Sequence, residues 1–162
     1  FHIFKKNTLL LDLGSSPGGW SQVAAKKILN GDILAVDIKF MEKIKNVNFI
    51  LGDFFLEEIQ EKIRNFFNKK INLVISDMSP NTTGNKSLDS YRSAELCLKA
   101  MDYSKKILKE DGIFLSKFFM GKEFRDIETQ AKSSFKTFVK YKPLASRKES
   151  REMYILCKDI IN

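Results

Sequence analysis

Five charged side chains each lie at or just after the end of a short apolar run, and they are the residues best suited to chemistry. Three are the carboxylates of Asp12, Asp37 and Asp53, and the other two are Asp77 and Lys117. Strands must end somewhere, and acids suit the helix starts that follow them, which explains one or two such residues. It explains five consecutive cases poorly. In open α/β sheets, ligands bind outside the carboxyl ends of the strands, so this pattern predicts a binding site there.

The first apolar run leads into a glycine-rich loop, Gly14-Ser15-Ser16-Pro17-Gly18-Gly19. Glycines at such a position let the backbone adopt positive φ angles and approach a ligand closely. The loop differs from the three spaced glycines of a dinucleotide fingerprint, because Pro17 lies in its middle and Gly18 and Gly19 open the next helix. It therefore favours a ligand without a pyrophosphate.

Two further carboxylates suit the rest of such a ligand. Asp37 lies 23 residues after Gly14, about where an acidic residue takes ribose hydroxyls in folds of this kind. Asp53 is placed to reach an adenine amino group. A nucleoside with a cationic sulfonium and no phosphate fits this acid-lined pocket, whereas an NAD-dependent dehydrogenase is the disfavoured alternative.

The elements that position these residues alternate between strands and helices. The predicted strands are 8–13, 33–37, 47–51, 71–76, 113–116, 135–141 and 153–157, and the predicted helices are 19–29, 54–67, 88–108 and 122–133. Asp111-Gly112 is expected to close the third helix. This alternation predicts a parallel α/β sheet with right-handed crossovers, and the last two strands, with no helix between them, predict an antiparallel hairpin at its edge. The length of 162 residues predicts one domain, 1–162.

Composition restricts the class of protein further. The formal net charge is +8 and the pI about 9.4, which favours a polyanionic partner, although many lysines fit ordinary solvated faces. Two of the five arginines, Arg147 and Arg151, fall in one short segment. No apolar run is long enough to span a membrane, and the start has no signal-peptide pattern. Cys97 and Cys157 lack metal-ligand spacing and are interpreted as reduced core residues, and no metal is expected.

In four ordered segments the sequence resembles the FtsJ/RrmJ family of ribose 2′-O-methyltransferases. They are the cofactor loop at 12–22 (DLGSSPGGWSQ), the aspartate motif at 76–84 (SDMSPNTTG), the lysine strand at 116–119 (SKFF) and the terminal motif at 142–154 (KPLASRKESREMY). The resemblance implies a Rossmann-like class I S-adenosylmethionine-dependent methyltransferase fold. Its sheet would be mostly parallel and seven-stranded, with an antiparallel terminal strand and helices on both faces.

The resemblance also implies the catalytic residues. The family uses a Lys-Asp-Lys-Glu tetrad, and Asp77, Lys117 and Glu152 match its last three members. The first lysine belongs to a segment well upstream of the cofactor loop, and Lys5 and Lys6 lie too close to that loop to match it. The family's N-terminal motif is therefore expected to be absent from the numbered chain.

The implied reaction is an in-line attack of a ribose 2′-oxygen on a sulfonium methyl group, for which alignment supplies much of the rate. Lys117 is the expected base, and a lysine takes a proton near neutral pH only where burial or a neighbouring cation lowers its pKa. Asp77 is expected to orient Lys117 beside the methionine part of the cofactor. Glu152 is expected to hold Lys117 or the hydroxyl in place. Taken alone, Lys117 and Glu152 would instead be interpreted as a surface lysine and a salt-bridge partner of a nearby arginine.

Two sets of binding residues complete the expected site. The cofactor, S-adenosyl-L-methionine with S-adenosyl-L-homocysteine as product, is expected to contact Gly14, Pro17, Gly18, Gly19, Trp20, Asp37, Asp53 and Asp77. The RNA backbone is expected to contact Lys39, Lys142, Arg147, Lys148 and Arg151. Phosphate contacts of this kind position RNA without reading its sequence.

The aspartate motif looks more like the branch of the family that methylates a uridine of large-subunit ribosomal RNA. Ribosomal RNA or the large ribosomal subunit is then the expected partner, with no DNA and no membrane, and a monomer in the cytoplasm or in a mitochondrion or plastid. Methylation of a tRNA anticodon loop is the alternative. A non-catalytic RNA-binding or ribosome-assembly protein on the same fold also stays open, because fold does not fix function.

Overall fold

The computed structural model describes residues 2–144, 147 and 149–161, and its strands and helices alternate along most of the chain. The strands are β1 (Leu10–Leu13), β2 (Ile33–Asp37), β3 (Asn48–Leu51), β4 (Ile71–Ser76), β5 (Leu108–Phe119), β6 (Phe135–Tyr141) and β7 (Glu152–Ile160). The helices are α1 (Gly19–Lys27), α2 (Glu57–Phe67), α3 (Lys86–Ile107) and α4 (Phe124–Ser134).

These strands form one sheet in the order β3-β2-β1-β4-β5-β7-β6. The pairs from β3 to β5 are parallel, and β7 runs antiparallel to both β5 and β6. Because β1 and β4 are neighbours although β2 and β3 come between them in the chain, the connections diverge at this point. A crevice therefore opens at the carboxyl ends of β1 and β4, as expected for an α/β sheet.

Helices cover both faces of the sheet. Alternate residues of β1 point to opposite sides, so Leu10 packs in a cluster with Ala24 of α1 and with Ile28 just after it, whereas Leu11 and Leu13 belong to the larger core. That larger core contains the buried faces of α2, α3 and α4. The mostly parallel seven-stranded sheet with an antiparallel terminal strand, predicted from the sequence, is confirmed.

The junction between α3 and β5 is one of the boundaries that differ from the sequence prediction. The chain passes from α3 into β5 without a loop, since α3 ends at Ile107 and β5 begins at Leu108. The prediction that Asp111-Gly112 closes the helix is therefore wrong, and both residues lie within β5. The register between β4 and β5 shifts between Ile71 and Leu73, so the start of β5 is irregular where this glycine occurs. Apolar periodicity cannot separate a helix end from a strand start that follows at once.

Candidate active site

The sheet register brings together the three residues matched to the tetrad. Ser76 of β4 pairs with Ser116 of β5, so the next residues lie side by side: Asp77 follows the end of β4, and Lys117 lies within β5, which continues to Phe119 beyond the end predicted from the sequence. On the other side of β5, Lys117 pairs with Tyr154 of β7, and Glu152 lies two residues away on the same face of that strand. Strand pairing alone therefore places two carboxylates around one amine.

The side-chain geometry agrees with the register. Lys117 Nζ lies 2.7 Å from Asp77 Oδ1 and 4.0 Å from Glu152 Oε1. The Lys117 side chain is only 10% exposed, whereas Asp77 and Glu152 are 33% and 44% exposed. Burial raises the pKa of Asp77, and the charge of Glu152 adds to this, while the hydrogen bond and charge of Lys117 oppose it. The Lys117 amine is therefore buried within the cluster, whereas the two carboxylates remain partly exposed to solvent.

Tyr154 is a member of this cluster that sequence reasoning missed. Burial, followed by the charges of Asp77 and Glu152, raises the pKa of its phenol to about 12, so the hydroxyl stays protonated at neutral pH. Its ring lies 5.8 Å from the ring of Trp20, between centroids. The signal was present in the terminal motif, where Tyr154 follows Glu152 by two residues and therefore shares its face of the strand.

A cavity of about 280 Å³ adjoins the cluster and extends across the ends of β1, β2 and β4. Its lining includes Gly14, Asp37, Asp53 and Asp77, four of the residues predicted to bind the cofactor. Asp37 Oδ2 accepts a hydrogen bond from the Ser16 backbone N–H at 2.9 Å. Asp77 thus belongs both to this cavity and to the ionic cluster.

The donor and acceptor chemistry of the cavity fits a nucleoside. Asp37 Oδ1 accepts from the Lys39 N–H at 2.7 Å, and Asp53 Oδ1 accepts from the Phe55 N–H at 2.9 Å. These bonds fix the two carboxylates, and the lone pairs they leave can accept hydrogen bonds from ribose hydroxyls or an adenine amino group. The residues present therefore fit S-adenosylmethionine.

The glycine-rich loop lies at the wall of this cavity. Gly14 has φ +72°, and a Cβ there would lie 2.7 Å from the backbone N and Cα of Met78. Gly18, at φ +113°, packs against Met41 and Ile44 in the same way. The loop can therefore approach both the β4 end and the segment after β2, as predicted for these glycines.

Four predicted cofactor residues lie outside the cavity lining. Pro17, Gly18 and Gly19 form the turn into α1, and Trp20 in its first turn packs against Tyr154. Sequence reasoning in turn missed several apolar members of the lining, including Ile38, Met78 and Leu96. Ile38 and Met78 each follow a strand-end aspartate directly, which is a signal that could have identified them.

The predicted RNA contacts fall into two groups in the structure: side chains that are exposed, and side chains that donate hydrogen bonds within the protein. Lys39 and Arg147 are exposed, and Lys39 lines the cavity. Lys142 Nζ donates to the Ser150 carbonyl at 2.9 Å, and the Arg151 guanidinium donates to atoms of α3. Lys148 lies outside the described residues.

The described part of the chain contains neither a metal-binding cluster nor a membrane-spanning helix. Within 2–144, 147 and 149–161, no group of three or more His, Cys, Asp or Glu side chains is placed to hold a metal ion. Over the same residues, no helix has the length and apolarity needed to cross a membrane. Cys97 and Cys157 are both free and buried, as interpreted from the sequence.

Sheet order, cavity and ionic cluster define a class I methyltransferase. This chain belongs to the FtsJ-like methyltransferase family, whose sequence model matches residues 1–160. The family and the enzyme class expected from the four motifs are thereby confirmed, with the S-adenosylmethionine dependence of that family.

Individual relatives agree with the family. Ribosomal RNA large subunit methyltransferase E of Pelagibacter ubique is 44% identical over 158 residues, covering 98% of this chain and 78% of the relative. The protein of the same name from Rickettsia akari is 40% identical, covering 96% and 71%. Among solved structures, a ribosomal RNA methyltransferase from Plasmodium falciparum superposes with a TM-score of 0.86 at 30% identity, covering 96% of this chain and 88% of its own.

Proposed function

We propose that this chain transfers the methyl group of S-adenosylmethionine to a ribose 2′-hydroxyl of large-subunit ribosomal RNA, at a uridine. The observation that carries the proposal is the position of Asp77. It lines the cavity that fits a nucleoside, and it also forms an ion pair with Lys117 at 2.7 Å. A reacting hydroxyl beside Lys117 therefore lies next to the cavity. The names of the relatives from Pelagibacter and Rickettsia support the ribosomal substrate.

The cavity residues bind and orient the cofactor. Asp37 accepts hydrogen bonds from the ribose hydroxyls, and Asp53 accepts one from the adenine amino group. Gly14 keeps the loop close to Met78 and leaves the cavity open beside it. When bound, S-adenosylmethionine supplies an activated methyl group, so that orientation contributes much of the rate.

The ionic cluster handles the proton of the attacking hydroxyl. Lys117 in its neutral amine form receives that proton at Nζ and becomes the ammonium, Asp77 Oδ1 holds Nζ at 2.7 Å, and Glu152 holds the hydroxyl or the amine from the β7 side. The low exposure of Lys117 strengthens each of these interactions, because water screens them less.

Several properties of the whole protein belong to the same proposal. The chain acts as one methyltransferase domain and as a monomer, in the cytoplasm or an organelle that contains ribosomes, and without a metal. Lys39 and Arg147 contact RNA phosphates next to the cavity and the ionic cluster. Either naked ribosomal RNA or the large ribosomal subunit serves as substrate.

Cofactor binding and methyl transfer test the proposal separately. Isothermal titration should detect micromolar binding of S-adenosylmethionine that Asp37→Ala abolishes. The exposed Asp32→Ala at the opposite end of β2 should leave it intact. Lys117→Ala should keep cofactor binding and lose transfer of labelled methyl to large-subunit RNA by a factor of at least about 10². The exposed Lys136→Ala on β6 is the matched control for that loss.

Each part of the proposal would be contradicted by a different experimental result. A folded chain that binds no S-adenosylmethionine would remove the proposal at its base. Near-normal transfer by Lys117→Ala would exclude Lys117 as the base. Preferential methylation of a tRNA anticodon loop would replace ribosomal RNA as the substrate. Cofactor binding with no transfer to any RNA or to the large ribosomal subunit would favour the RNA-binding alternative.

A further inference from the structure

The guanidinium of Arg151 is turned towards the first turn of α3. Its Nη1 donates to the Lys86 carbonyl oxygen at 2.8 Å and to Ser90 Oγ at 2.9 Å. Ser90 Oγ itself donates to the same Lys86 carbonyl at 2.6 Å. The first two hydrogen bonds join the residue before β7 to the helix that follows the Asp77 loop, and the third holds Ser90 within that helix.

The partner of Arg151 is fixed in place. Ser90 is only 2% exposed, and Gly121 packs so closely that a Cβ there would lie 2.6 Å from Ser90 Cβ. The neighbouring carboxylate of Asp89 attracts the guanidinium, and this attraction is one of the causes that lower the pKa of Asp89, after the hydrogen bonds from Thr83. A rigid, charge-complementary acceptor therefore receives the arginine.

The backbone around Arg151 is held as well. Its carbonyl oxygen accepts from the Met120 N–H at 2.8 Å, just past the end of β5. The Glu152 N–H donates to Ser150 Oγ at 3.2 Å. Arg151 thus ties α3, the end of β5 and the start of β7 together at the residue that precedes Glu152.

We propose that Arg151 is a positioning residue that sets the distance between Glu152 and Lys117, and that it does not serve as an RNA phosphate contact. The inference rests on the proposed function. Glu152 Oε1 lies 4.0 Å from Lys117 Nζ, at the limit of an ion pair, so a small shift of the β7 start separates them. A misplacement of about 1 Å in a catalytic constellation can cost about 10²-fold in rate.

Arg147 provides the contrast within the same segment. Both arginines line a cavity of about 480 Å³ that also includes Glu152, but Arg147 is exposed whereas Arg151 is only partly exposed. Arg147 is therefore available to a phosphate, whereas Arg151 already has two acceptors on α3. Removing Arg151 should therefore change the rate of methyl transfer, whereas removing Arg147 should change the affinity for RNA.

The test compares Arg151→Ala, Arg151→Lys and Arg147→Ala on large-subunit RNA. Arg151→Ala should lower kcat at saturating RNA by about 10²-fold and leave the RNA Kd, its salt dependence and the S-adenosylmethionine Kd unchanged. Arg151→Lys should recover part of kcat, because an ammonium can still reach one acceptor. Arg147→Ala should raise the RNA Kd and reduce the slope of log K against log salt by about 0.9.

The alternatives give different results. A slope reduced by about 0.9 in Arg151→Ala, with kcat unchanged, would make Arg151 a phosphate contact and overturn the inference. So would a lowered kcat that Arg151→Lys does not improve, together with a lost unfolding transition, since that indicates a merely structural role. A wild-type chain that binds cofactor but methylates neither large-subunit RNA nor the large ribosomal subunit would overturn the proposed function first, and this inference with it.

Discussion

Asp12 is a carboxylic acid at a position where ionisation is unfavourable. Its side chain is fully buried, Ser21 Oγ donates to Oδ2 at 2.5 Å, and Oδ1 has no hydrogen-bond partner among the described residues. Burial raises the pKa of Asp12 to about 7, the Ser21 hydrogen bond opposes this, and the charges of Asp77 and Asp37 add to it. The strand-end acid closest to the cofactor loop is therefore poised to titrate near neutral pH.

Unfolding at several pH values should detect this group. The folded chain binds a proton at Asp12 that the unfolded chain releases near pH 3.8, so the contribution of Asp12 to stability is complete below that value and falls as pH rises towards 7. From about pH 5 to about pH 8, the wild type should lose about 3 kcal/mol of unfolding free energy relative to Asp12→Asn. Urea titrations measure the difference, with the exposed Asp32→Asn as control. Parallel pH dependence of wild type and Asp12→Asn would contradict the prediction.

Residue types at strand ends were readable from the sequence, and their partners were not. Asp37, Asp53, Asp77 and Lys117 stand out because an apolar run stops at each of them. Glu152 carries no such signal, because it begins β7 and only the resemblance singled it out. The engagement of Arg151 by α3 depends on a contact across 61 residues of chain, which local patterns do not encode.

At the scale of elements, the start of α3 controls the loop that follows Asp77. Asn85 is the N-cap, and its side chain accepts from the N–H groups of Ser87 and Leu88 at 3.1 Å each. Asp89 accepts from both the N–H and the hydroxyl of Thr83, closing the loop onto the helix. The sequence prediction began this helix at 88, because it followed apolar periodicity and gave no weight to the cap.

Removing the cap should have a measurable effect on stability. Asn85→Ala leaves two backbone N–H groups without their side-chain acceptor and should lower the free energy of unfolding by about 1 kcal/mol. For a chain of this length that corresponds to a fall in Tm of about 2 to 4 °C. Asn85→Asp keeps the acceptor and adds a favourable charge at the helix start, so its Tm should stay near wild type. Equal losses in both variants, measured by calorimetry, would show that the cap contributes nothing.

Over the whole molecule, the topology gives the two ends of the strands different functions: the carboxyl ends form the functional edge of the sheet, and the amino ends form the opposite edge. Parallel strands from β1 to β5 bring Asp37, Asp53, Asp77 and Lys117 to one edge, and each helix returns the chain to the other. The period of the apolar pattern was enough to predict this architecture, because each βαβ crossover has one favoured hand. The same apolar pattern could not predict that β7 lies between β5 and β6, because a predicted hairpin does not show which of its two strands is at the edge of the sheet.

This difference between the two ends of the strands predicts which lysines contribute to the salt dependence of RNA binding. The affinity for RNA should fall steeply with salt, whereas the affinity for S-adenosylmethionine, which has no phosphate, should change little. Lys39, exposed beside the cavity, contributes one phosphate contact, so Lys39→Ala should reduce the slope of log K against log salt by about 0.9. Lys26, exposed in the last turn of α1 at the opposite edge, should leave the slope unchanged when replaced by alanine. Filter binding over a salt series measures both slopes. Equal reductions would mean that RNA follows the net charge of +8 over the whole surface and not the functional edge of the sheet.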